Sequence, residues 1–208
     1  MARYRNKRKP KIFGKRGLIL CEGESEENYF KGLITQDKYK RKFQAIDVNI
    51  FKPKDHSPVG LVNEAKQQIK MAKREKNPYD FAWVIFDKDG HAKIPEAFNI
   101  ASNFKPKISI AFSAPCFEFF VLLHFEKTTK PFKKCDNVIS QIQNKWFNDY
   151  AKATNIFTHL QEKKDIGLKN TKWVQDQAQV DIKNGMRVYE LSAYSNIDRL
   201  VDYLYTLI

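Results

Sequence analysis

The chain has 208 residues, enough for one substantial domain with a small appendage. Its hydrophobic fraction of 42% supports a real core and excludes global disorder, while apolar runs such as AWVIF and FFVLLHF fall well short of the about 20 residues a bilayer span requires. The formal net charge of +13, from 37 Lys+Arg against 24 Asp+Glu, favours polyanionic partners, because side chains that neutralise phosphates release condensed counterions; the plainer alternative is a lysine-rich surface that keeps the protein soluble.

In chain order, the N-terminal residues come first. Arg3, Arg5, Lys7, Arg8, Lys9, Lys11, Lys15 and Arg16 precede any acid. Residues 1–15 read as a flexible basic tail, either a nucleic-acid arm or a solvated end. No apolar stretch follows this basic start, so a signal-peptide pattern is missing. The three cysteines, Cys21, Cys116 and Cys135, are an odd number without framework spacing, which suits a reducing cytoplasm.

GLILC (17–21) reads as a buried strand, and ESEENYFKGLITQ (24–36) as a helix whose acidic first turn complements the helix dipole. AIDVNIF (45–51) alternates apolar and polar residues, the mark of a more exposed strand. In 57–76, Leu61, Val62, Ala65, Ile69 and Ala72 recur at helical spacing, with Lys66, Lys70, Lys73 and Arg74 on the wet side. FAWVIF (81–86) is the strongest strand signal and ends at Asp87. A short helix over 95–104 and a strand over 107–112 follow. Strands alternating with helices predict an α/β fold with a mostly parallel sheet flanked by helices over 16–126. Ligands of such sheets sit beyond the C-terminal strand ends, near a topological switch point.

From about residue 114 the pattern turns helical. CFEFFVLLHF (116–125) is apolar nearly all round, with Pro115 suited to a helix's first turn. Residues 136–150 and 171–184 also read as helices. The last helix begins near Ser195 or Asn196 and carries Ile197, Leu200, Val201, Leu204, Leu207 and Ile208, a stripe suited to core packing or docking. Residues 127–208 are thus expected as a helical C-terminal part packed on the α/β domain.

The chemistry concentrates at strand ends. Glu22 lies just past the first strand, and Asp87 and Asp89, in VIFDKDGH, just past the third. If those strands are neighbours, three carboxylates converge. Two of them about 4 Å apart repel by roughly 4 kcal/mol at an effective dielectric of 20, so one takes a proton or a cation binds between them. Oxygen ligands favour Mg²⁺ or Mn²⁺ over zinc, and such ions take further ligands from phosphates. Each acid also has a plainer reading, since a D-x-D after a strand is commonly turn chemistry.

LILCEGESEENYFKGL followed by VIFDKD resembles the Toprim signature, a Glu after the first strand and a D-x-D after the third. With SAPCFEFFVLLHF, the chain is similar to the RloB family, Toprim-like proteins linked to restriction loci and abortive phage infection. The resemblance runs from about residue 16 to 208 and is dense to 126; the Asn-Pro-Ser-Thr segment expected before the last helix is replaced by SAYSN. It implies a Toprim-like fold and a Mg²⁺-dependent nuclease acting in phage defence with a partner ATPase of the AAA/ABC type encoded nearby. Carried over by position, Glu22 becomes the general base or acid, and Glu22, Asp87 and Asp89 hold the metal. Glu26, one turn into the following helix, holds a second metal or a ligand water, or is a surface acid answering the dipole.

Glu118 and His124 belong to the same block. Glu118 in an apolar helix has to be paired or bind something, which makes it a candidate catalytic residue, or it is a first-turn acid answering the helix dipole; His124 reads as a hydrogen-bonded core or helix-end histidine before a catalyst. Lys88 and His91, beside the D-x-D, are candidate phosphate contacts together with Arg3, Arg5, Arg8 and Lys9 of the tail. No P-loop, zinc spacing or G-x-S-x-G elbow occurs. The readings left are a metal-dependent nuclease of RNA (tRNA among the candidates) or DNA, a nucleic-acid-binding module that does not cut, and a regulator docked on an ATPase. All are cytoplasmic, off the membrane and compatible with an oligomer.

Overall fold

In β1 (Arg16–Cys21), Leu18 and Leu20 face one side of a sheet while Ile19 and Cys21 face the other, and all four are fully buried. Two buried faces are what a central strand of a parallel sheet requires. The computed structural model describes residues 15–39, 43, 47–51 (backbone alone) and 55–208; the tail cations Arg3, Arg5, Arg8 and Lys9 lie outside these. β3 (Phe81–Asp87) repeats the pattern, with Val84 and Phe86 opposite Ile85.

The sheet runs in the order β2–β1–β3–β4–β5. β2 (Asp47–Phe51), β1, β3 and β4 (Ser109–Ala114) are parallel, and the two-residue β5 (Tyr194–Ser195) adds an antiparallel edge. The fold is therefore α/β, as the alternation of elements implied. α1 (Glu24–Thr35) packs on one face through Tyr29, Phe30 and Leu33. α2 (Pro58–Arg74), capped by Ser57 accepting the Gly60 N–H at 3.1 Å, and α3 (Ile94–Asn103) cover the other. The helices after β1 and β3 thus leave on opposite faces, which makes the β1–β3 boundary the switch point of the sheet.

The C-terminal residues complete the first face. α4 (Phe117–Leu122), α5 (Cys135–Lys145), α6 (Phe157–Glu162), α7 (Lys164–Gln177) and α9 (Ile197–Thr206) share one core with α1, while the five-residue α8 (Gln179–Lys183) buries none of its side chains. Tyr29 sits edge-on to Phe30, Phe117, Phe120 and Phe157, a hub drawing on both halves of the chain. Ile197, Leu200, Val201 and Leu204 are fully buried, so that stretch of the last helix is core. No helix among the described residues is long and apolar enough to cross a membrane.

Several boundaries differ from the sequence reading. The fourth strand is 109–114, two residues later than expected, because Ser113 and Ala114 pair with β5. Pro115 lies outside α4, before the N-cap Cys116. α5 stops at Lys145, where Trp146 leaves helical φ/ψ and stacks on Phe125 at 5.6 Å. α7 begins at Lys164 and not 171, since Gly167 meets His124 and Asn170 Nδ2 donates to the Leu123 carbonyl at 2.8 Å. SAYSN supplies β5 and Asn196, whose Oδ1 accepts the Phe112 N–H at 2.6 Å and whose N–H donates back to the Phe112 carbonyl at 3.0 Å, continuing the strand edge by a side chain. Cys116 and Cys135 form a disulfide across 19 residues, which spacing did not disclose, and Cys21 is the free buried thiol.

His124 is buried with Nδ1–H donating to the Phe120 carbonyl at 2.9 Å. Burial lowers its pKa to about 4, so it stays neutral, as a core histidine. A Cβ on Gly167 would lie 2.4 Å from the His124 ring. Alanine in a helix gains about 1 kcal/mol over glycine, but overpacking costs about 1–3 kcal/mol or more. Gly167→Ala is therefore expected to lose on the order of 1–2 kcal/mol, read as a lower urea midpoint at unchanged slope; a stabilised variant would contradict this packing.

Candidate metal centre

Parallel pairing of β1 with β3 sets Cys21, the last residue of β1, opposite Ile85, so Glu22 follows directly beside the last two residues of β3, Phe86 and Asp87. The Glu22 N–H donates to the Ile85 carbonyl at 3.0 Å, and Glu22 Oε2 accepts the Asp87 N–H at 3.1 Å. Glu22 Oε1 lies 2.7 Å from His91 Nε2, which donates to it. One ligand atom each from Glu22, Asp87 and His91 lies within 4.8 Å of the others. From the other side of the β1 end, His56 Nδ1–H donates to the Glu22 carbonyl at 2.8 Å.

The first turn of α1 and that of α4 bring two more acids. Gly23, the N-cap of α1, leaves room for the Glu26 carboxylate: a Cβ there would lie 2.8 Å from Glu26 Oε2. Glu26 is folded back and buried. Glu118 is also buried; its Oε1 accepts from Ser25 Oγ at 3.1 Å, while its Oε2 lies 3.1 Å from Cys135 Sγ, a contact without a proton while the disulfide is formed. Tyr150 approaches Glu118 as a hydrogen-bond partner. Glu22, Glu26, Asp87 and Glu118 line one cavity of about 340 Å³, together with Glu24, His56 and Lys152.

Electrostatics follow from this crowding. Burial, then the charges of Glu118 and Glu22, raise the Glu26 pKa from 4.5 to about 8, against an opposing contribution from Lys152. Burial first, and then Glu22 and Glu26, push Asp87 well above the usual carboxylate range. Burial first, and then Glu118 and Glu26, raise the Tyr150 phenol, which stays protonated.

The sequence-derived candidates thus separate. Glu22, Asp87, Glu26, Glu118 and His91 come together. Asp89 is exposed; its N–H donates to Asp87 Oδ1 at 3.0 Å, the turn bond an aspartate commonly makes, and it lines a different depression with Lys88 and Pro131. Lys88 Nζ donates to the carbonyls of Glu190 and Leu191 at 3.0 and 2.9 Å, which fastens the turn to the C-terminal segment. His56, Ser25, Tyr150 and Lys152 were missed by sequence reasoning. Only Ser25, inside EGESEE, had a local signal; the others arrive by tertiary contact. Cys116, Glu118 and Cys135 form a second group with ligand atoms in reach of one another, but its sulfurs are joined.

A protein-family model described as RloB-like protein matches residues 17–204. No curated protein and no solved structure matches the chain.

The raised Glu26 pKa fixes the sign of a pH effect. An acid whose folded pKa of about 8 exceeds the starting 4.5 binds more protons folded than unfolded between those values. Stability therefore falls as pH rises through that window. In EDTA, the unfolding free energy is expected to decline from about pH 5 to about pH 8, and Glu26→Gln to flatten the decline. A profile identical in the variant would contradict the burial of an acid here.

Proposed function

The chain belongs to the RloB-like protein family, and on that footing we propose that it is a metal-dependent nuclease cleaving phosphodiester bonds of RNA, tRNA included, or of DNA. The observation that carries the reading is the meeting of Glu22, Asp87 and His91 within 4.8 Å, at the switch-point crevice of a chain whose formal net charge is +13. Converging acids need protons or a cation, and the basic excess suits a polyanion.

The donor set fits a hard divalent ion. Glu22 and Asp87 offer carboxylate oxygens, and Glu26 stands behind them. His91 adds a nitrogen, which weights the set toward Mn²⁺ relative to Mg²⁺. A bound divalent ion would polarise a phosphoryl oxygen and lower the pKa of a ligand water. Asp87 and Glu26 release their protons to reach the state that can bind it. His91 Nε2 gives up the proton it shares with Glu22 Oε1 in order to offer its lone pair, and Glu22, left without that contact, is the carboxylate placed to take a proton from an attacking water. Action in phage defence beside a partner ATPase of the AAA/ABC type belongs to this proposal through family membership. One observation favours a second reading: with Asp89 turned to solvent, half of the D-x-D is outside the cavity, as in a subunit that binds nucleic acid or regulates the ATPase without cutting.

Cleavage of labelled RNA and DNA with Mg²⁺, Mn²⁺ or EDTA distinguishes these. Asp87→Asn and Glu22→Gln are each expected to lower the rate at least about 100-fold, as loss of a metal-holding group does, and Asp89→Asn to lower it far less. EDTA should abolish cutting in all. Undiminished cleavage by the Asp87 or Glu22 variant would sink the site assignment. Metal binding and nucleic-acid binding without cleavage, in the presence of the ATPase, would favour the second reading.

A further inference from the structure

Among the side chains lining the acid cavity, one carries an ammonium group, that of Lys152. Its backbone is held tightly. Ser25 Oγ accepts the Ala153 N–H at 3.1 Å, and Asn28 Nδ2 donates to the Ala153 carbonyl at 2.8 Å. The same Ser25 hydroxyl donates to Glu118 Oε1, so the strap over residues 150–153 and the buried acid share one link. Upstream, Tyr150 is buried and its carbonyl accepts from Gln143 Nε2 at 2.7 Å. Between these anchors Ala153 adopts φ +66°, the left-handed region that is unfavourable for a residue with a Cβ. Bonds on both sides of the residue over-determine that conformation, and its consequence is to set Lys152 at the cavity rim.

The ammonium acts on Glu26 through its charge, but among the described residues it makes no hydrogen bond or ion pair, although five carboxylates line the same cavity. Elsewhere cations are engaged: Lys31 pairs with Glu27, Lys145 with Glu126, and Lys88 donates to two carbonyls. A phosphodiester is an anion, and a single divalent ion offsets only two of the five acids that would face it. A cation held at the rim by the strap lowers the local repulsion where the anion enters, and lysine serves as a point charge for phosphate.

We propose that Lys152 receives a non-bridging phosphate oxygen of the nucleic-acid backbone at this cavity, as a substrate-contacting residue. This deepens the metal-dependent nuclease reading and rests on it. Because Lys152 is exposed, its side chain can be exchanged without disturbing the core, and the strap bonds use backbone atoms of Ala153.

The test uses the full chain, Mn²⁺ and dimethyl phosphate as the simplest phosphodiester. Free Mn²⁺ measured by electron paramagnetic resonance gives metal binding, and broadening of the ³¹P resonance by bound Mn²⁺ reports a phosphate beside the metal. Wild type is expected to broaden the line. Lys152→Gln should bind Mn²⁺ at least as well and need at least about tenfold more dimethyl phosphate for equal broadening, the loss expected for one charge-assisted contact; Lys152→Arg should restore most of it. Mn²⁺ bound with equal broadening in wild type and Lys152→Gln, or with none in wild type, overturns the role of Lys152 and leaves the metal reading standing. No Mn²⁺ binding by wild type overturns the metal reading, and this assignment with it.

Discussion

Glu22 Oε2 accepts the Asp87 backbone N–H across the β1–β3 pair, and that contact sets two carboxylates side by side at the end of a parallel sheet. Parallel pairing leaves little choice: β1 stops two residues short of the end of β3, so the residue that follows β1 lies beside the last residues of β3 on one rim. Repulsion between acids at this distance is worth several kcal/mol at an effective dielectric of about 20. The protein answers it in part by raising the Asp87 and Glu26 pKa values, which favours their protonated forms, in part by the His91 contact on Glu22 Oε1. The arrangement therefore stays poised: each proton is a place where a cation would bind more strongly.

That poise depends on both halves of the chain. Glu118 comes from the turn after β4, and Lys152 from the strap beyond α5. Both are carried by the face of the sheet on which α1 and the C-terminal helices share a core. The Tyr29 hub presses α1 against Phe117, Phe120 and Phe157, so Glu26 in the first turn of α1 and Glu118 in the first turn of α4 are set against one another by apolar packing. Close approach of two acids is here a by-product of aromatic burial on the order of 150–250 Å² per ring. The disulfide between Cys116 and Cys135 ties the N-cap of α4 to the first residue of α5, which reinforces the same junction.

The sheet and its switch point were legible because they rest on local pattern. GLILC and FAWVIF are apolar on both faces, helices alternate with them, and Glu22 and Asp87 sit where the apolar runs stop. Glu118 could be singled out because an acid in FEFFVLL has no dry alternative. The C-terminal part was less legible, since its boundaries are set by contacts. Trp146 leaves the helix to stack on Phe125, Gly167 admits the His124 ring, and Asn196 replaces a strand residue on β4. Lys152 and His56 had no signal at all: each is a loop residue delivered by the path of the chain. The cysteine pair was hidden for the same reason.

The segment DKDGH shows why a motif's spacing and its geometry part company. In an extended strand, residues i and i+2 point the same way, which would aim Asp87 and Asp89 together. Here the strand has ended. Asp87 Oδ1 captures the Asp89 N–H, and the His91 N–H donates to the Lys88 carbonyl at 3.4 Å, so the chain turns back on itself. Asp89 swings to solvent, and the residue four places after Asp87 returns to the acids. The donor group at the rim consequently mixes imidazole nitrogen with carboxylate oxygen in place of oxygen alone. Imidazole is a poorer partner for Mg²⁺ than for Mn²⁺, so under the proposed metal reading one turn bond shifts which ion the same five residues would suit best. Which donors meet at the rim is thus decided by backbone geometry after the strand, a level that residue type alone does not reach.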